Sequence, residues 1–191
     1  MWDADHGLFF AASHEGDTLA IAFFFDLGEK LWYMYSGSTE HKQNLSPNPD
    51  QHTWTLGGLS YGGTCSLQVI TNHPDVYGSF VDISGERTPD DGIGHDSTVQ
   101  DFFGGSEEKF KAHNPEDLLK KRKYPRTAGM FIAGRADTEA TSDLKHLHKV
   151  AVNAGMKVSY SEVDGGHNFK TWRSGLQLAF PFIVRRGGLE S

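Results

Sequence analysis

A chain of 191 residues suits one domain, or one domain with a small appendage. Its 37% hydrophobic and 12% aromatic content supports a packed core and excludes disorder. A net charge of -7 with no basic stripe argues against a nucleic-acid partner. The short run Lys120-Lys121-Arg122-Lys123 follows "PEDLL" and reads as the solvated end of a helix. Cys65 is the single cysteine, so no internal disulfide can form, and it reads as a small packed thiol. The apolar run "LAIAFFF" is too short to cross a bilayer. The start, "MWDADHG", shows no basic region ahead of an apolar stretch. No secretory signal is read there, and a cytoplasmic location is the default.

In chain order, residues 7–35 read as a small β meander. "GLFFAA", "TLAIAFFF" and "LWYMY" are separated by the turn-like "SHEGD" and "DLGEK". Residues 36–52 are polar, with two prolines, and form a loop or seam. From residue 53 the pattern changes. "TWTLGGL" is a strand running into glycines, "GTCSLQVITN" a helix that stops before Pro74, and "SFVDIS" a short buried strand. A polar Gly- and Asp-rich segment, 85–105, leads to short helices at 106–112 and 115–122. "AGMFIAG" is a further buried strand. Leu144, Leu147, Val150, Ala151 and Ala154 then fall at helical spacing, with Gly155 as the stop. "KVSYSEV" is a strand, and 169–184 a closing helix. Strands alternating with helices imply an α/β fold, a mostly parallel sheet with helices on both faces.

Sites in such sheets form at the carboxyl ends of the strands. Ser60, Asp137 and His167 each follow a predicted strand by one to four residues, which sets them along one edge. Ser60 sits in G-x-S-x-G between a strand and a helix, where a nucleophile on a strained turn competes with an ordinary Gly-rich loop. Gly58 and Gly62 are expected to let backbone approach closely, and the Tyr61 amide to donate to an oxyanion. Among the histidines, His167 in "DGGHNF" is the candidate general base, because the order Ser, acid, His suits this hydrolase class. Asp137 would accept from the other imidazole nitrogen, and Glu139, two residues on, is an alternative acid. Asp143 and Asp164 rank below both. His146 and His148 face different ways on a helix and make a poor metal pair. Asp90, Asp91, His95 and Asp96 read as an exposed polar loop. No phosphate-loop or dinucleotide glycine motif occurs, so no cofactor or metal is expected.

Residues 45–187 resemble the actinobacterial type of the putative esterase family of α/β-hydrolases, whose relatives include feruloyl esterases, S-formylglutathione hydrolase and the mycobacterial mycolyltransferases. The pieces that carry the resemblance are "GGLSYGGTCSLQVITNHPDVYGSFVDISG", "FFGGSEEKFKAHNPEDLL", "FIAGRAD" and "VDGGHNFKTWRSGLQLAFPFI". It implies Ser60 as nucleophile, Asp137 as acid and His167 as base. The mycolyltransferase acid is a glutamate, which keeps Glu139 in play. It also implies a small-molecule or acyl-ester substrate and allows a secreted or cell-envelope location. The first 48 residues do not look like the front of such a hydrolase. "GLFFAASHEGDTLAIAFFFDLGEKLWYMYSGSTEHKQNLSPN" resembles a fragment of the FemABX-type peptidoglycan-bridge aminoacyltransferases. The chain thus reads as a junction of two pieces: residues 1–48, a β-meander appendage or the front strands of the sheet, and residues 49–191, the hydrolase core. The expected function is a serine esterase or acyltransferase working through an acyl-enzyme on Ser60. The alternative is an impaired hydrolase-like scaffold whose amino-terminal oxyanion loop has been replaced. A sheet lacking its front strands would leave an open edge, which invites a homodimer.

Overall fold

The computed structural model describes residues 54–187 in full, together with the backbone of three earlier strands. The chain divides into two compact units, residues 1–49 and 50–191. In the first, β1 (Gly7–His14), β2 (Asp17–Asp26) and β3 (Leu31–Ser38) form an antiparallel meander in the order β1-β2-β3. Its register carries irregularities at Ala12/Ser13 and Phe23/Phe24.

The second unit is a four-stranded parallel sheet of β4 (Thr55–Leu59), β5 (Ser79–Ile83), β6 (Ala128–Gly134) and β7 (Lys157–Val163), in sequential order. Parallel neighbours need crossovers, and helices supply them. They are α1 (Tyr61–Asn72), α2 (His95–Phe103), α3 (Glu107–His113), α4 (Pro115–Lys121) and α5 (Thr138–Asn153), with α6 (Phe169–Arg186) closing the unit. Side chains alternate across a strand, so consecutive residues of β5 identify the two faces. Gly63 of α1 abuts Asp82, whereas Gly175 of α6 abuts Ile83 and Ile132. On the α1 side, Leu67, Ile70, Phe80, Phe131, Leu144 and Leu147 form the core with α5. The Phe80 and Phe131 rings meet edge to face at 5.1 Å.

The expected strands and the α/β class are those observed. The difference is α2, which the polar composition of 85–105 hid. Only Thr98 and Val99 of that helix are buried, too few to write a period into the sequence. Glycines mark its ends, with Gly104 left-handed at φ 61°. At the other end of the unit, α6 runs on through Pro181 to Arg186.

One buried carboxylate ties the β5–α2 segment to the helices. Glu116 of α4 is 4% exposed and accepts from Arg87 Nε at 2.5 Å and Nη2 at 2.8 Å. Lys120 Nζ lies at 2.6 Å and His146 Nε2, on α5, at 2.9 Å. The Arg87 guanidinium, with Lys120 and His146, holds the Glu116 carboxyl well below the usual carboxylate range. A depressed native pKa stabilises the fold above the unfolded value of about 4.3 and loses that effect as pH falls below it. Glu116→Gln is therefore expected to lower the unfolding free energy at pH 7 by about 1–3 kcal/mol. In denaturation series the gap between the two proteins should narrow below about pH 4. A gap independent of pH would rule out the charge as its source.

Candidate active site

Where β4 ends, the chain turns through Ser60 directly into α1. Ser60 has φ 53° and ψ -129°, a conformation that L residues avoid and that surrounding structure must enforce. Its amide donates to the Ile83 carbonyl at 2.8 Å, and its carbonyl accepts from the Gly63 amide at 2.8 Å. A Cβ on Gly58 would lie 1.9 Å from the Gly62 carbonyl oxygen, so only glycine fits there. Gly62, expected to need the same room, has open space where its own Cβ would stand. Its carbonyl crowds residue 58, and Gly58 alone carries the constraint.

The turn aims Ser60 Oγ at His167 Nε2, 2.8 Å away and 107 residues along the chain. His167 Nδ1 lies 2.8 Å from Asp137 Oδ2. With a carboxylate on Nδ1, the tautomer that carries its proton there leaves Nε2 free to accept from the serine hydroxyl. Asp137 is 7% exposed, whereas the His167 side chain is 44% exposed. The acid is dry and the histidine faces solvent. Glu139, the competing acid, stands exposed in the first turn of α5, and Asp137 is the carboxylate that meets the ring.

Backbone contacts hold the acid and histidine loops together. The Ala136 amide donates to the Gly165 carbonyl at 2.9 Å and the Arg135 amide to the Val163 carbonyl at 2.8 Å. The Arg135 guanidinium also pairs with Asp164. Gly165 has φ 119°, and a Cβ there would fall 2.1 Å from Thr171 Oγ1. Asn168 caps α6, its Oδ1 accepting from the Thr171 amide at 3.1 Å. Trp172, one turn further, sets its ring edge to face with His167 at 5.0 Å. Neither Trp172 nor its contact was legible beforehand, because the spacing of a helix start says nothing about which aromatic reaches across it.

Other candidates have local duties. Asp143 Oδ2 accepts from the Arg87 amide at 3.1 Å. Asp90 and Asp91 accept from amides of their own turn, at Gly92 and Ile93, and His95 meets Glu107 at 2.6 Å. His146 binds Glu116, and His148 packs beside Phe131 and Tyr160. Among the described residues no group of three or more His, Cys, Asp or Glu could hold a metal ion. Cys65 is half-buried, and burial pushes its thiol pKa up. A further oxyanion donor from a turn at 13–17 or 26–29, as the sequence suggests, would involve residues outside those described.

Two acids near Ser60 went unnoticed in the sequence. Glu86 is half-buried, and its pKa is raised by burial and by Asp90, Glu139 and Asp143, against a lowering by His167. The Tyr61 phenol shares that negative surrounding and is pushed up to about 12, chiefly by burial. Asp82 is fully buried in β5. Its signal was an aspartate in the middle of the apolar run "SFVDIS".

The family model described as "Putative esterase" matches residues 40–183. An uncharacterized protein of Corynebacterium glutamicum is 48% identical over 155 residues, which is 78% of this chain and 36% of that protein. Among solved structures, a ferulic acid esterase superimposes with TM-score 0.60 at 18% identity, covering 77% of this chain and 57% of that one. An S-formylglutathione hydrolase from Agrobacterium tumefaciens gives 0.60 at 15% identity, covering 78% and 55%. A fluorophosphonate-binding serine hydrolase of Staphylococcus aureus gives 0.56 at 17%, covering 76% and 60%. The chain therefore spans about a third of the curated relative and little more than half of these structures.

The tight histidine loop makes a prediction. Gly165→Ala adds backbone strain and a clash with Thr171, for an expected loss of about 1–3 kcal/mol in chemical denaturation. Unchanged stability would show that the loop relaxes freely.

Proposed function

The chain belongs to the "Putative esterase" family, and from that membership and the contacts of Ser60 we propose that it is a serine carboxylic ester hydrolase. The observation that carries the reading is the 2.8 Å contact between Ser60 Oγ and His167 Nε2, backed by Asp137 on Nδ1. Ser60 Oγ attacks the ester carbonyl carbon while His167 Nε2 takes the hydroxyl proton. Asp137 holds the imidazolium in place from a dry position. The tetrahedral intermediate collapses, and the alcohol leaves with the proton from His167. The acyl group is then esterified to Ser60. Water, deprotonated by the same nitrogen, attacks it and releases the carboxylic acid. An acceptor alcohol in place of water would make the outcome acyl transfer.

The Tyr61 amide, the first of α1, is the oxyanion donor in this reading, helped by the helix N-terminus. Loss of one such donor costs about a hundredfold or more in rate, so the second donor decides how active the chain is. The amino-terminal unit contributes no activity of its own to this proposal.

Hydrolysis of p-nitrophenyl acetate by the wild type, Ser60→Ala, Asp137→Asn and Glu139→Gln tests the assignment. Ser60→Ala and Asp137→Asn should each lose about a thousandfold or more in kcat, with Glu139→Gln unchanged. A fluorophosphonate probe should label the wild type at Ser60 and leave Ser60→Ala unlabelled. Equal rates in wild type and Ser60→Ala, or none in either, would favour an impaired scaffold over an enzyme.

A further inference from the structure

Beneath the nucleophile turn lies a carboxyl group that the proposed reaction does not use. Asp82, on β5, is 0% exposed. Its Oδ1 accepts from the Gly85 amide at 2.9 Å, and Oδ2 has no hydrogen-bond partner among the described residues. A Cβ on Gly63 would lie 2.1 Å from Oδ1, and one on Gly85 2.3 Å from it. The carboxyl is thus wedged between the first turn of α1 and the turn that leaves β5. That second turn contains Ser84, which with Ser60 makes the two described non-glycine residues of positive φ. The two turns are joined twice more. Ser60 donates its amide to the Ile83 carbonyl, and the Glu86 amide donates to Thr64 Oγ1 of α1 at 2.8 Å.

We propose that Asp82 is a positioning residue. Its carboxyl sets the spacing between the first turn of α1 and the Ser84–Gly85 turn, and through that spacing the aim of Ser60 at His167. Asp82 touches neither substrate nor reacting atoms. The inference rests on the reading of Ser60 as the nucleophile.

Such a wedge works best uncharged. An ionised carboxylate there would be buried with one amide donor and no cation. The titratable groups around it are Cys65 on α1 and Glu86 on the following turn, both acids. Its strand partners, Gly58 on β4 and Phe131 on β6, carry no charge, and α6 packs on the opposite face. Burial above all, with Glu86, pushes the Asp82 pKa up to about 8, against a lowering by the Gly85 amide. The sign follows: a raised native pKa favours the fold at low pH, and the advantage is lost as pH rises from about 4 to about 8. Ionisation above that range strains the wedge and misaims Ser60.

The test compares wild type, Asp82→Asn and Asp82→Ala on p-nitrophenyl acetate across pH 6–10, with Ser60→Ala as control. Asparagine keeps the shape and the acceptor for Gly85 but cannot ionise. Wild-type kcat should fall above about pH 8, and Asp82→Asn should keep its neutral-pH kcat and lack that fall. Asp82→Ala should lose about tenfold to a hundredfold in kcat at pH 7, with KM within about twofold. Asp82→Asn with the wild-type basic limb, or with a loss at neutral pH as large as that of alanine, overturns the inference. So does Asp82→Ala with normal kcat. The Asp82→Asn profile decides the matter alone if Asp82→Ala fails to fold. A wild type no faster than Ser60→Ala instead overturns the underlying esterase reading, a distinguishable result.

Discussion

A methyl group on residue 58 would sit 1.9 Å from the Gly62 carbonyl oxygen, and this crossing of backbone over the end of β4 governs the rest of the site. Because the chain reverses within so few residues, Ser60 cannot relax into an ordinary helix cap. It holds φ 53°, a conformation that costs on the order of 1–3 kcal/mol and survives only where neighbours over-determine it. Here they do. The Ser60 amide is anchored on β5 and its carbonyl in α1, so the serine is gripped from both elements it connects. The apolar core under α1 and α5 supplies the rigidity against which that strain is held.

Register converts this one turn into a constellation. Leu59 pairs with Ile83 and Ile83 with Ile132, so β4, β5 and β6 reach nearly the same level. Residues leaving that edge can meet across it although they lie far apart in the chain. The loop after β4 brings Ser60, the loop after β6 brings Asp137 and the loop after β7 brings His167. The loop after β5 brings no partner for the histidine. It lies beneath Ser60, with Ser84 strained and the Asp82 carboxyl under α1. Three of the four exits thus supply the side chains that meet, and the fourth packs against the turn that carries the first of them.

How legible each part was follows from what kind of information it leaves in sequence. Strands and amphipathic helices write their periods directly, so "AGMFIAG" and the Leu144–Leu147–Ala151 face were readable. Ser60, Asp137 and His167 each follow a strand by one to four residues, and that position in the sequence sets them along one edge. The choice between Asp137 and Glu139 needed the structure. Asp137 occupies the N-cap of α5 and is buried there, while two residues later the helix has carried Glu139 into solvent. The helix α2 was illegible because its burial is confined to two adjacent residues. Trp172 and Glu86 were illegible for a different reason. Their importance lies in contacts across the fold, which no local pattern encodes.

The burial gradient along the histidine explains how the proposed chemistry could be sustained. Asp137, 7% exposed, faces the imidazole from a medium in which its charge is weakly screened. The imidazole itself is partly open to solvent and packs edge to face with Trp172 at 5.0 Å. In the proposed reaction, an imidazolium forming there stands against the Asp137 carboxylate, 2.8 Å from Nδ1. In that reaction the permanent charge thus stays buried on Asp137, and the transient one forms on a ring that solvent reaches, so neither lacks a partner or water.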